Sequence, residues 1–526
     1  MPPVSVRNIE FLERKLNPAQ AGSRPKCLEG TRQDILDQIY AWAKDSSQQN
    51  ILWLSGSPGA GKSAIASTVV SQLSMKQSTV AFCFQRGHAI LGDPAVIWRT
   101  IAFGLASYDS AVSNDIVHFL EDTTMHFGSD IGDHFKHLIE EPLTKNCNAL
   151  SFKLPLVIII DALDECSASD STSAPRGILL QTLRRWSQLP KMFKLFVTAR
   201  HESDIAKCLK DVSQHIVLQT GHKATPQTSQ DIELFLKYHF SGIAMDYYPE
   251  LSTWPEPEII EQLTKQAAGL FIWAETVIRF MMQGAPSEQL SLILDGKLAT
   301  GDIDSLYLTI LQNSFKPSNL ESFNMVVGCI VLAQIPLTIH DLEVLVDGVK
   351  TDVILFVLNK LKPVISNDSE NGLHIAHQSF AEFLKDSTRC TEAFVIDQTK
   401  QSQRLALGCM RVMNGKGGLK FNICNLKTSY VFNDQIVDLT TCIKTNIPSQ
   451  LLYACCFWAQ HLQDVPKQNT EDVFIESVHK FSHAHLLHWL EVLSLINEVP
   501  VASRALNIAC HWFQVGTNTN FMELYD

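Results

Sequence analysis

The chain has 526 residues, 45% hydrophobic and 19% charged, with a formal net charge of -12. That balance excludes a disordered chain and leaves no basic block for phosphate neutralisation, so no nucleic-acid partner is expected. Thirteen cysteines without a C-x-x-C pair, a start "MPPVSVRNIEFLERK" without a signal-peptide core, and apolar runs too short to cross a membrane predict a cytoplasmic protein with reduced thiols and no transmembrane segment.

Residues 1–49 form a lead-in, with one amphipathic helix at "DILDQIYAW" and a polar break at "KDSSQQN". From residue 50 strands and helices alternate. "ILWLS" is a short apolar strand, and Ile65, Val69 and Leu73 then mark one helix face. "TVAFCF" is a second strand. "GDPAVIWRTIAFGLA" reads as a helix with Asp93 as N-cap and Pro94 in its first turn. "LPLVIII", apolar throughout, is a third strand covered on both faces; "FKLFVTAR" and "HIVLQ" are the fourth and fifth. The pattern predicts an α/β domain over residues 50–224, a parallel five-stranded sheet with flanking helices.

Beyond it the periodicity is helical over 225–318. Over 319–388, helix, "IPLT", two helices, "KPVIS" and "GLHIAH" follow in the order of a winged helix. Residues 389–526 read as helical, with one strand-rich interruption around "SYVFNDQIVDL".

The octet "GSPGAGKS", Gly56 to Ser63, fits G-x-x-x-x-G-K-[ST]. About 0.02 chance matches are expected in a chain of this length, and this octet follows a strand and opens a helix. Its glycines turn backbone N–H groups inward as an anion nest at the positive end of the helix. Gly56, Ser57, Pro58, Gly59, Ala60, Gly61, Lys62, Ser63 and Ala64 are therefore nucleotide-binding candidates. Lys62 is expected to reach the β- and γ-phosphates and Ser63 to ligate Mg²⁺. A second Mg²⁺-linked oxygen is expected from "LVIIIDALDEC", whose apolar strand ends in Asp161, with Asp164 and Glu165 close behind. Arg200, leaving "FVTAR" at the carboxyl edge of the sheet, either contacts a γ-phosphate or makes a surface salt bridge.

Together these residues resemble the NACHT family of signal-transduction NTPases, the STAND class of P-loop proteins, in its large fungal group. The resemblance runs from "CLEGTRQDIL" to "LLHWLEVLSL", and its most specific element is "DALDE". It implies that Asp164, with Glu165 behind it, orients an attacking water, and that Arg200 senses the γ-phosphate. It further implies that Gly30, Thr31 and Arg32 of "EGTR" lie beside the adenine and that His377 of "LHIAHQSF" contacts the β-phosphate of ADP. Gln378 stands where many relatives have Asp, and Phe271 of "GLFIW" stands where relatives carry the proline of a Gly-x-Pro turn. Relatives also carry an effector domain ahead of the NTPase and a repeat array behind it. Neither pattern is present here, which points to a shortened chain or to partner chains supplying those functions.

The remaining features have plain readings. His479, His483, His485 and His488 lie on a helical stretch with partly exposed histidines; Cys455 and Cys456 pack; Trp273 and Trp489 are core. The reading is a slow P-loop NTPase acting as a switch on ATP/ADP with Mg²⁺, GTP being possible, and forming homo-oligomers on activation. An ADP-bound scaffold without turnover is the alternative; a small-molecule kinase or nucleic-acid motor fits less well.

Overall fold

The continuous apolar runs become strands of a single sheet. β1 (Ile51–Gly56), β2 (Thr79–Cys83), β3 (Leu156–Asp161), β4 (Phe193–Ala199) and β5 (Gln214–Leu218) pair in parallel in the order β2-β3-β4-β1-β5. The computed structural model describes residues 4–20, 22, 24–75, 78–122, 130–147, 155–166, 174–248, 250, 254–295, 300–368, 372–428, 430–466 and 472–514. Leu154, placed in the third strand by the sequence pattern, lies outside them.

Side chains alternate across a strand, so an all-apolar run feeds two cores. Trp53, Ile158, Ile160, Leu195 and Val197 are buried with Ile97, Ile101, Ile116, Leu183 and Trp186 of one helical layer. Leu52, Leu54, Val157, Ile159 and Phe196 are buried with Leu36, Ile39, Ile65 and Val69 of the other. Gln33–Lys44 and Lys62–Leu73 supply that second layer.

Two local expectations change. The helix after β2 begins at Ile97, not at Asp93. The Asp93 carboxylate accepts the Ala95 N–H (2.9 Å) and closes a turn of its own, which competes with capping a helix. A further helix, Val6–Leu16, precedes those read from the sequence and buries Leu12 and Leu16, one turn apart.

The chain divides into two units, Met1–Leu306 and Tyr307–Asp526, the division falling inside the helix Ile303–Ser314. The first contains the sheet and the helices Pro226–Tyr247, Pro257–Ala267, Phe271–Met281 and Pro286–Asp295.

In the second unit Leu320–Leu332, Ile339–Leu345 and Thr351–Lys360 precede an antiparallel ribbon of β6 (Ile365–Asp368) and β7 (Gly372–Ile375). Leu337 of "IPLT" bridges to Leu373, completing the element order of a winged helix. Long helices follow, among them Gln398–Asn414 and Ser449–Gln463. The strand-rich interruption is not a strand among the described residues: Asn433–Gln435 is a single 3-10 turn, with Tyr430 and Phe432 exposed. Aromatic and β-branched residues favour a strand only where another strand is available to pair. Among the described residues, no helix is long and apolar enough to cross a membrane.

Candidate functional site

The glycine-rich octet leaves the carboxyl end of β1 and enters the helix Lys62–Leu73. Gly59 and Gly61 have φ of +77° and +95°, in the left-handed region that turns successive N–H groups toward one concavity. Gly59 is needed twice over, since a Cβ there would stand 2.0 Å from Ile272 Cγ2. The Ile272 N–H donates to the Gly59 carbonyl (3.2 Å), so the helix Phe271–Met281 holds the loop from outside.

Lys62 folds back over the loop, its Nζ donating to the Gly56 and Ser57 carbonyls (2.9 and 3.0 Å). Burial lowers its pKa, opposed by the nearby Asp164 carboxylate. Ser57 Oγ accepts from the Thr220 hydroxyl (2.9 Å), Pro58 is half-buried, and Ala64 accepts from Thr68 Oγ1 (2.8 Å).

Asp161 ends β3, and β4 runs between β3 and β1. From β4, Thr198 donates to Asp161 Oδ1 (2.5 Å) and accepts the Ala162 N–H (2.9 Å). Ser63 Oγ donates to the same Oδ1 (3.2 Å). On the other oxygen, Oδ2 accepts from Cys83 Sγ (3.1 Å) and from Arg24 Nη1 (3.0 Å). The Ser63 hydroxyl and Asp161 carboxylate are hard oxygen donors at a helix N-terminus. Mg²⁺ takes one or two such protein oxygens and completes its shell with water and phosphate, so this donor set fits it.

Past Asp161 the backbone turns sharply: Ala162 is left-handed at φ 56°, and Leu163–Glu165 form one 3-10 turn. The turn carries Asp164 back toward β4. There Asp164 Oδ1 accepts the Arg200 N–H (2.9 Å) and Oδ2 pairs with Arg200 Nε (2.9 Å). The Asp164 side chain is only 3% exposed, so the pair is well shielded from water. Glu165 Oε2 accepts the Arg86 N–H (3.1 Å), and Arg86 also donates to the Asp164 carbonyl (2.8 Å). Burial pushes the Glu165 pKa up, and Arg24 opposes that rise.

Of the lead-in residues, Gly30 has φ +86° and Thr31 is buried, its hydroxyl donating to the Leu28 carbonyl (2.7 Å). Arg32 donates to the Ala60 carbonyl (2.8 Å) and to Thr228 Oγ1 (3.0 Å), while Asp231 accepts its N–H (3.2 Å). Its guanidinium lies 4.8 Å from the centre of the Phe271 ring. Phe271 thus meets the octet's surroundings although it replaces a proline. His377 belongs to the second unit. Its Nδ1 accepts the Ser379 N–H (3.2 Å) at the start of the helix Gln378–Lys385 and bonds the Ser379 hydroxyl (2.7 Å).

The structure brings Gly56 to Ala64, Asp161, Asp164, Glu165 and Arg200 into one region at the carboxyl ends of β1, β3 and β4. Sequence reasoning missed Thr198, Arg86 and Arg24. Thr198 carried a signal, a hydroxyl inside a buried strand two residues before Arg200. Arg24 carried none.

Residues 30–200 match the family described as Nephrocystin 3, N-terminal. The vegetative incompatibility protein HET-E-1 of Podospora anserina is 23% identical over 520 residues, covering 91% of this chain and 36% of its own length. This chain thus spans about a third of that curated relative. Among solved structures, a STAND protein with a tetratricopeptide repeat sensor from Pyrococcus horikoshii is similar with a TM-score of 0.44 and 13% identity, over 93% of this chain and 65% of that one. The Walker-type ATPase of Pyrococcus abyssi is similar with a TM-score of 0.33 and 14% identity, over 69% of this chain and 98% of that one.

Proposed function

We infer that this chain is a NACHT protein of the STAND class of signal-transduction NTPases, a reading supported by its matches over residues 30–200 and to HET-E-1, and that it works as a nucleotide-operated switch in the cytoplasm. One observation carries the reading: the buried Asp164 and the partly exposed Arg200 hold each other beside the glycine-rich loop. Asp164 engages the Arg200 Nε and N–H, so the carboxylate and that Nε reach a ligand only when the pair opens. A γ-phosphate competes with Asp164 for the guanidinium, because Arg binds phosphate and carboxylate through the same fork of donors. A diphosphate offers no such competitor. Triphosphate and diphosphate therefore favour different arrangements of one pair, which is the requirement for a population shift.

In this reading the octet amides and Lys62 bind the phosphates, exchanging the Gly56 and Ser57 carbonyls for phosphate oxygens. Ser63 and Asp161 hold Mg²⁺, which neutralises charge on the phosphates. Arg200 leaves Asp164 for the γ-phosphate, and the freed Asp164 carboxylate orients water, with Glu165 behind it. Glu165, whose pKa burial raises against the opposing pull of Arg24, stands behind Asp164 and accepts the Arg86 N–H. Gly30, Thr31 and Arg32 shape the adenine side. Turnover is slow because an ion pair must open first. Self-association and effector or sensor partners are the outputs of this switch.

The test is nucleotide binding and hydrolysis by variants. Lys62→Ala is expected to lose labelled ATP and ADP, whereas Asp164→Ala binds both and hydrolyses ATP at least ~100-fold more slowly. Equal nucleotide binding by Lys62→Ala and the parent would overturn the reading. The closed Asp164–Arg200 pair also supports a second reading, a permanent ADP-bound scaffold. That reading is favoured if the purified protein releases ADP on heating and shows no turnover.

A further inference from the structure

Arg24 stands ahead of the sheet, in a strap of chain with no helix or strand of its own. The strap is fastened to one side of the helix Lys62–Leu73. The Arg24 carbonyl accepts from Ser67 Oγ (2.9 Å), the Cys27 N–H donates to Thr68 Oγ1 (2.9 Å), and Lys26 Nζ donates to Ser71 Oγ (2.7 Å). Anchored in this way, the Arg24 side chain turns in to the end of β3. Its Nη1 donates both to Ser63 Oγ (3.1 Å) and to Asp161 Oδ2 (3.0 Å), and its Nη2 donates to the Phe84 carbonyl (3.1 Å). The two protein oxygens suited to a divalent cation therefore share one guanidinium. A guanidinium and a hydrated Mg²⁺ exclude each other there, by volume and by like charge.

We propose that Arg24 is a built-in substitute for the divalent cation, in competition with Mg²⁺ for Ser63 and Asp161, so that metal binding displaces the Arg24 side chain from the end of β3. The inference rests on the nucleotide reading of the site. It differs from a surface salt bridge in a specific way. Three acceptors from three segments, Ser63, Phe84 and Asp161, are gathered by one planar fork, which a lysine ammonium does not reproduce. In this arrangement Arg24 supplies positive charge next to the phosphates when Mg²⁺ is scarce, and withdraws when Mg²⁺ arrives.

The experiment titrates Mg²⁺ into the full chain with fluorescent ADP and compares the parent with Arg24→Ala and Arg24→Lys. Removing one like charge a few ångströms from the dication is expected to lower the half-saturating Mg²⁺ concentration by about tenfold or more in Arg24→Ala. With chelator present, the same variant is expected to bind ADP more weakly than the parent by a similar factor. Arg24→Lys, which keeps the charge and guards against a folding artefact, falls between them. Identical Mg²⁺ midpoints in parent and Arg24→Ala, with both melting alike, would overturn the proposal. If the parent binds no nucleotide, the nucleotide reading fails separately. Mn²⁺ binding followed by electron spin resonance then decides the present inference, which requires tighter Mn²⁺ binding by Arg24→Ala and is overturned by equal affinity.

Discussion

The two units bury polar groups for different ends. In the second, Thr338 and Asp341 form a reciprocal capping box at the start of their own helix, and His377 caps the helix that follows it. Tyr453 and His461 share a hydrogen bond (2.8 Å) within one helix. These bonds finish local structure, although Asp341 also accepts from Ser449 Oγ (2.5 Å) and Tyr453 from the Gln334 N–H (3.2 Å), each from a distant segment. In the first unit Asp161 draws partners from four segments, through Arg24, Ser63, Cys83 and Thr198, and Asp164 is held by Arg200, just past the end of β4. Gathering groups from distant segments at one point concentrates desolvation cost where a ligand's charge can offset it. The contrast separates polar groups that build the fold from polar groups that serve a site.

Substitutions test the contrast in decreasing order of effect. Gly59→Val adds atoms where a Cβ already stands 2.0 Å from Ile272 Cγ2, at a positive φ. It is expected to weaken ADP binding by more than about 100-fold and to remove the rise in melting temperature that ADP gives the parent. Arg200→Ala leaves the buried Asp164 carboxylate unpaired and is expected to cost about 3 kcal/mol in denaturant unfolding, where Arg200→Ala with Asp164→Asn recovers part of that loss.

The second unit is expected to fail first in acid. Burial pushes the His461 imidazole down to about 3 from an ordinary 6.5. Above pH 6.5 both folded and unfolded chains hold it neutral, and its contribution to stability is complete. Below that, only the unfolded chain takes the proton, so stability falls by up to about 1.4 kcal/mol per pH unit until pH nears 3. Melting curves from pH 7 to 4.5 check this, and His461→Leu is expected to flatten them. Thr338→Ala is the smallest change, about 1 kcal/mol from the lost cap, with ADP affinity unchanged. If it weakened ADP binding as Gly59→Val does, the separation between the two kinds of polar group would be broken.

What could be read in advance followed contiguity along the chain. The five strands and the octet were legible because each is a local pattern, a run of apolar residues or fixed spacings of glycine, lysine and serine. Asp161 was legible as the polar end of the most apolar strand. Thr198 left only a faint signal and Arg24 none, since their meaning comes from β4 lying between β1 and β3 and from a strap crossing a helix about 40 residues downstream in sequence. Arg32 shows the same limit. Its place in "EGTR" marked it out, yet its partners Thr228 and Asp231 lie nearly two hundred residues away. The missed start at Ile97 has another cause: an aspartate that favours helix capping favours a turn equally well.

The left-handed Ala162 has one more consequence. That conformation costs an alanine about 1–2 kcal/mol relative to the ordinary helical region, and the residue is buried, 4% exposed. Its N–H is fastened to Thr198 and the next turn closes at once, so Asp161 and Asp164 are joined by a stiff bracket rather than a flexible link. Ala162→Gly would relieve the tension and loosen the bracket together. With alanine in place, the two carboxylates keep a fixed spacing beside β4.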